Sequence, residues 1–81
     1  MNEDIIQRYQ EAIALLRARM ANNPTIGGNF VEENGKTCFE LSYFILDSEG
    51  GDVKKKKFNP GNGAEEALEN FIAAAQNLYL N

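Results

Sequence analysis

The dipeptide Asn34-Gly35 lies between two runs of aromatic and β-branched residues in the stretch NFVEENGKTCFELSYFILD. Asn-Gly is the preferred pair for a type I′ turn, in which both residues have positive φ, and a turn of two residues sets the register of the flanking strands. This β-hairpin constrains the fold more than any other part of the chain. Its predicted partners are Glu33 with Lys36, Glu32 with Thr37, Val31 with Cys38, and Phe30 with Phe39.

Alternation along the second strand divides its side chains between the two faces of a sheet. The more apolar set, which we expect to face the core, is Phe39, Leu41, Tyr43 and Ile45, joined by Phe30 from the first strand. The opposite set is mixed and consists of Cys38, Glu40, Ser42, Phe44 and Leu46.

Two amphipathic helices are predicted, one on each side of the strands. Residues 3–22 form the first, capped by Asn2 or Asp4, and the NNP stretch at 22–24 ends it because a residue before proline avoids the α region. The second runs from Ala64 to Leu80, with Asn62 as N-cap and Glu65 completing a capping box. Their apolar stripes are Ile5, Tyr9, Ile13, Leu16 and Met20, and then Ala64, Ala67, Leu68, Phe71, Ile72, Ala75 and Leu78.

The segment between the hairpin and the second helix predicts a third strand. The glycine-containing SEGGD stretch at 48–52 reads as a loop, VKKKKF at 53–58 as a short antiparallel strand, and NPGNG at 59–63 as the break before the helix. The order is therefore α-β-β-β-α in a single α+β domain covering residues 1–81. Both helices need to bury an apolar stripe, so we expect a three-stranded antiparallel sheet with both helices packed on one face.

The residue inventory argues against an enzyme. The 81 residues include one cysteine and no histidine, which excludes an internal disulfide and leaves Cys38 without the usual base of a catalytic thiol. The adjacent carboxylates of Glu32 and Glu33, and those of Glu65 and Glu66, diverge in direction instead of converging in a cleft. We therefore predict no catalytic residues, no metal site and no cofactor.

Targeting signals are also absent from the sequence. The first residues, MNEDIIQRYQ, lack the basic and apolar regions of a signal peptide, and no apolar run approaches the ~18 residues of a membrane span. These features predict a cytoplasmic protein that does not contact a membrane.

The lysine run Lys54, Lys55, Lys56 and Lys57 has two interpretations. Clustered lysines contact nucleic-acid phosphates, which predicts a nucleic-acid-binding protein. Lysines also protect an edge strand against pairing with other sheets. The net charge of −4 opposes polyanions and favours the edge strand.

The NPGNG loop at 59–63 is a candidate anion or nucleotide site, because free amides and the helix dipole meet at a helix start. As the N-cap, the side chain of Asn62 would accept a hydrogen bond from one of these backbone amides, and Glu65 and Glu66 in the first turn would repel a phosphate. The capping interpretation is therefore favoured, and a small-ligand or nucleotide-binding function stays as an alternative.

The sheet face opposite the helices is the predicted binding surface. It combines apolar and aromatic side chains with charge, which is typical of a protein interface. Scattered exposed apolar residues, which are normal on any surface, are the alternative. The residues of this predicted surface are Val31, Cys38, Glu40, Phe44, Leu46 and Val53.

The α-β-β-β-α order over residues 5–80 resembles the double-stranded RNA-binding domain. That family binds RNA through lysines at the start of its second helix, where this chain has the sequence GNGAEEALEN, with Glu65 and Glu66. The loop that enters the minor groove in that family is here the tight Asn34-Gly35 turn. The resemblance thus implies a fold and transfers no RNA-binding residue.

These observations predict a non-enzymatic protein-interaction module, an inhibitor or adaptor that binds another protein or itself, as a homodimer, through the open sheet face. The small size, the acidity and the lack of catalytic residues are similar to those of phage-encoded inhibitors of bacterial defence systems, including anti-CRISPR proteins. That similarity assigns no residue. The acidic segment at 32–52 is expected to attract basic surfaces.

Overall fold

The computed structural model describes residues 3–20, 25–47 and 50–78, with the backbone alone for residues 45–47. The predicted fold class is confirmed: two helices and a three-stranded antiparallel sheet of order β1-β2-β3 form a small α+β domain. The elements are α1 (Glu3–Arg19), β1 (Ile26–Glu33), β2 (Lys36–Asp47), β3 (Gly50–Lys57) and α2 (Ala64–Ala75).

The predicted hairpin register between β1 and β2 is confirmed at every pair. Asn34 and Gly35 have φ values of 54° and 76°, as a type I′ turn requires, and the pairing continues as far as Ile26 opposite Tyr43. From Phe39 to Phe44 the two faces of the sheet therefore carry the side chains that alternation assigned to them, and the side chains of Ile45 and Leu46 lie outside the described part.

The third strand is longer than the sequence indicated. β3 begins at Gly50, which pairs with Asp47, so the expectation of a loop at 48–52 is wrong for residues 50–52. Gly50 has a φ of 124°, a conformation that only glycine adopts without strain, and this lets the chain enter the strand directly. Phe58 follows the strand, and its N–H donates to the carbonyl of Phe39 at 3.0 Å.

Both helices are shorter than predicted. α1 ends at Arg19 instead of residue 22, and α2 ends at Ala75 instead of residue 80. The predicted cap at Asn2, the NNP stop at 22–24 and the last residues of the predicted second helix, 79–80, lie outside the described residues. Met20 and Leu78 follow the helix ends and still pack against the core.

The predicted cap of α2 is wrong. The N-cap is Gly63, which has a φ of 147° and no side-chain capping hydrogen bond. Asn62 is one residue too early to cap, and its Oδ1 instead accepts a hydrogen bond of 3.0 Å from Nζ of Lys36. Lys36, beside the hairpin turn, thus binds the side-chain oxygen of Asn62 that the sequence pattern predicted as the cap of α2.

The core lies between the helices and one face of the sheet. The Phe39 ring is at its centre, with ring centroids 5.7 Å from Tyr9 of α1, 4.6 Å from Phe71 of α2 and 6.3 Å from Phe58. The buried members are Ile5, Ala12, Ile13, Leu16, Ile26, Phe39, Leu41, Phe58, Ala67, Leu68, Phe71, Ile72 and Ala75. Phe30, predicted to join this core, forms a T-shaped ring contact with Phe39 but is 39% exposed.

The two helices lie side by side and run in the same direction. Arg8 of α1 binds the carboxylate of Glu69 with both of its terminal nitrogens, at 2.7 and 3.2 Å. At the other end, Arg19 donates to the carbonyls of Ala75, Gln76 and Leu78 at 2.8 to 3.2 Å. Arg19 therefore satisfies carbonyls that the end of a helix leaves without intrahelical partners.

Candidate functional site

The face of the sheet turned away from the helices is called the outer face. The register places eight cross-strand pairs there, and those that contain the predicted interface residues are Val31 with Cys38, Asn29 with Glu40, Glu40 with Lys57, Phe44 with Val53, and Leu46 with Gly51. The predicted interface residues are therefore brought to one side of the sheet.

The apolar part of the outer face lies at the end formed by β2 and β3. Phe44 is 39% exposed and its cross-strand partner Val53 is 60% exposed. Leu46 pairs through its backbone with Gly51, two positions further along, and its side chain lies outside the described residues. Val31 and Glu40 are half-buried.

The Phe44 ring lies over Gly51 of β3. A Cβ atom added to Gly51 would overlap the ring, so a side chain at this position would displace it. The glycine that the sequence assigned to a loop thus makes room for an aromatic ring on the open side of the sheet. Sequence reasoning missed this role because it depends on a cross-strand contact.

Cys38 is buried, with 5% of its surface exposed, although it lies on the outer face. Lys57 of β3 forms an ion pair with Glu33 of β1, and by the register this pair crosses β2 at the level of Cys38. The hydrogen bond with Glu33 raises the pKa of Lys57, with smaller effects from Glu40 and Cys38. Cys38 thus lies beneath the predicted surface and is not itself presented to a partner.

The four lysines do not form one patch. The register places Lys55 and Lys57 on the outer face, whereas Lys54 and Lys56 lie opposite Tyr43 and Leu41 on the helix side. All four are exposed, and Lys54 is 3.8 Å from the carboxylate of Asp52. β3 is an edge strand in the observed order, as the edge-protection interpretation requires.

The NPGNG loop is held by hydrogen bonds to its own fold. Gly61 and Thr37 bond each other in both directions, and Nδ2 of Asn70 donates to the carbonyls of Asn59 and Pro60 at 3.1 and 3.2 Å. With Asn62 bound to Lys36, the loop connects α2 to the hairpin. Of the loop groups engaged here, the N–H of Gly61 is a donor that the anion-site interpretation needed for a ligand.

A groove of about 370 Å³ lies between the two helices on the side away from the sheet. Sequence reasoning missed it; the available signal was Leu15, an exposed leucine outside the main apolar stripe of α1. The groove is lined by Arg8, Glu11, Ala12, Leu15, Ile72, Ala75 and Gln76.

Neither a metal centre nor a membrane segment is found in the part of the chain that the structure describes. Among residues 3–20, 25–47 and 50–78, no three histidine, cysteine or acidic side chains come together as metal ligands. No helix in those ranges is both long and apolar enough to cross a membrane. Comparisons with protein-family models, curated proteins and solved structures find no match.

Proposed function

We propose that this chain is a non-enzymatic protein-interaction module, an inhibitor or adaptor, that binds a partner protein through the outer face of its sheet. The observation that carries this proposal is the exposure of Phe44 and Val53 as a cross-strand pair on the face that the helices leave open. Aromatic and aliphatic side chains at the centre of a polar rim are the usual anchors of protein interfaces.

The surroundings of this pair supply the rim. Glu40 and Lys55 lie on the same face, and the ion pair of Lys57 with Glu33 lies beyond them. Between residues 24 and 52 the chain carries six carboxylates and one lysine, so a partner with a basic surface would be attracted to this part of the sheet. Attraction of this kind raises the association rate and weakens with added salt.

Replacing the apolar pair tests the proposal. Phe44→Asp/Val53→Asp places charge at the centre of the surface, whereas Leu15→Asp places it at an exposed leucine on the helix side and serves as the control. Each tagged protein would be used to capture partners from the source cell, with captured proteins identified by mass spectrometry and the fold checked by circular dichroism. We expect a partner that wild type and control retain and the double variant loses. Equal capture by all three folded proteins would exclude this surface.

Nucleic-acid binding through the lysine strand is the second candidate. Within the described ranges no carboxylate lies at ion-pair distance from Lys55 or Lys56, so both have charge available for phosphates. A gel shift with duplex RNA and DNA tests this at low salt, where phosphate contacts are strongest. A shift that Lys55→Gln/Lys56→Gln abolishes would support it, and no shift for wild type at low salt would end it.

A further inference from the structure

The two edges of the sheet differ in chemistry. β3 carries four consecutive lysines, which oppose pairing with another strand. β1 is the other edge, and its residues 26–31 read IGGNFV without a single charge. Gly27, Gly28, Asn29 and Phe30 are all exposed, so solvent reaches this edge.

The open edge of β1 has a defined set of hydrogen-bonding groups. The carbonyl of Thr25 accepts from the N–H of Phe44 at 3.1 Å, which shows that odd-numbered residues direct their backbone groups toward β2. Since these directions alternate along a strand, Ile26, Gly28, Phe30 and Glu32 direct N–H and C=O groups outward. No hydrogen bond within the described part of the chain engages those outward groups.

The two glycines of β1 have different explanations. Gly28 is required by the fold, because a Cβ there would lie 2.7 Å from Cε2 of Phe39 and 3.1 Å from the hydroxyl of Tyr9. A Cβ on Gly27 would meet nothing within 4 Å, and its φ is not positive. The fold of one chain thus gives no reason for Gly27, and a strand glycine commonly marks the close approach of another backbone.

We propose that β1 pairs antiparallel with β1 of a second copy of this chain, about a two-fold axis at Gly28. Gly28 then lies opposite the partner's Gly28, and Ile26 lies opposite the partner's Phe30. In β1 only the even-numbered residues direct N–H and C=O groups outward, so both members of each hydrogen-bonded pair must be even-numbered. The pairs of this register meet that condition. Residues 25–31 meet the same uncharged run of the partner, and Glu32 and Glu33 fall beyond the ladder.

A second copy fits this edge because the pairing is closed. An isologous contact uses the unprotected edge of both subunits and produces a six-stranded sheet whose two outer strands are both β3. Every edge left in the dimer then carries the lysine run. The contact goes beyond the proposed function, because it uses the edge of β1 and leaves the pair of Phe44 and Val53 available to another protein.

The first test is the mass of the protein in solution over a concentration series, measured by sedimentation equilibrium. In Gly27→Lys/Asn29→Lys, each new lysine lies opposite another across the axis, and like charges directly opposite in a ladder are destabilising. We expect wild type to double its mass with concentration, and the double variant to associate about tenfold more weakly. Asp52→Lys, on the lysine edge and with the same +2 change in charge as the double variant, is the matched control and should associate as wild type does. A monomer throughout, or a dimer unaffected by the double variant, would overturn the proposal.

Amide hydrogen exchange of the wild-type protein gives a second readout that needs no variant. The N–H groups of Gly28 and Phe30 should become protected as concentration rises, because they donate across the new ladder. Those of Lys55 and Lys57, which face the open edge of β3 by the same alternation, should not change. Exchange of Gly28 and Phe30 that is independent of concentration would refute the pairing, whether or not the variants fold. A dimer lost in Phe44→Asp/Val53→Asp and unchanged at these amides would assign self-association to the outer face instead.

Discussion

Gly61 and Thr37 exchange backbone hydrogen bonds in both directions, at 2.8 and 2.9 Å, and so attach the loop before α2 to the start of β2. The Cα of Gly61 faces the first turn of α2, where an added Cβ would lie 2.8 Å from N of Ala67 and 2.9 Å from C of Glu66. Backbone atoms cannot move aside as a flexible side chain can. We therefore expect Gly61→Ala to lower the free energy of unfolding by about 1–3 kcal/mol.

Urea denaturation followed by circular dichroism measures this loss. Gly27→Ala is the matched control, because its new methyl group would have no neighbour within 4 Å. The control should remain within about 0.5 kcal/mol of wild type. Equal stability of the two variants would show that the loop does not need to approach the helix this closely.

Removing Arg19 should loosen the end of α2. Its guanidinium donates to the carbonyls of Ala75, Gln76 and Leu78, and a cation at a helix C-terminus also interacts favourably with the helix dipole. We expect Arg19→Ala to cost about 1–2 kcal/mol in the free energy of unfolding. The exposed Arg17, in the last turn of α1 two residues before Arg19, provides the control, and Arg17→Ala should change stability little. Thermal unfolding of both variants at equal ionic strength makes the comparison.

Substituting Gly51 should disturb the outer face without changing its charge. In Gly51→Ala the new methyl group occupies the space of the Phe44 ring, so the ring must move. We expect altered NMR shifts for the Phe44 ring and the Val53 methyl groups, and a weaker capture of the partner. Captured protein that is unchanged despite a displaced ring would show that the ring position is unimportant for binding.

Alkaline pH should destabilise the protein in part through Tyr9. Burial raises the pKa of Tyr9 above its ordinary value of 10.0, because the folded protein disfavours the phenolate. The unfolded chain loses the phenolic proton at a lower pH than the folded protein does. The contribution of neutral Tyr9 to stability is therefore complete below pH 10 and is lost as pH rises through the pKa of the folded protein. Chemical denaturation at pH 9, 10 and 11 should therefore show a smaller loss of unfolding free energy with rising pH for Tyr9→Phe than for wild type. Parallel losses in both proteins would contradict this role of Tyr9.

The thiol of Cys38 should react slowly in the folded protein. It is buried beside the ion pair of Lys57 with Glu33, and a buried thiol without a nearby base is inert. We expect Lys57→Gln to remove this ion pair, expose the thiol of Cys38 and increase its rate of reaction with a disulfide reagent several-fold. Lys55→Gln, on the same face and without an ion pair among the described residues, should leave the rate unchanged. Reaction of native wild type as fast as the denatured protein would contradict the burial.

The features that sequence predicted well are set by neighbours along the chain. The turn at Asn34-Gly35 fixes the register by its length, and the register fixes which face Phe39 and Phe44 occupy. The apolar stripes of the helices follow from their period, and every member of both stripes except Ala64 lies in the observed core or packs against it.

The features that sequence missed depend on distant contacts. α2 ends near Ala75, where Arg19 binds its carbonyls from 56 residues away, and Asn62 is bound to Lys36 across 26 residues. Strand alternation assigned Cys38 to the outer face correctly, yet its burial beside an ion pair between β1 and β3 involves three strands at once. The binding role of the outer face stays a prediction, because it depends on another molecule.

The contact of α1 with α2 has a consequence for the chain as it is synthesised. Arg8 can bind Glu69, and Phe39 can pack against Phe71, only after α2 has been synthesised. The nascent chain therefore exposes the aromatic face around Phe39 until α2 has left the ribosome. The three strands are joined in sequence order and can pair before then. The last strand of that unfinished sheet is the lysine-rich β3, whose charge would keep this edge of the intermediate from adding strands of other nascent chains.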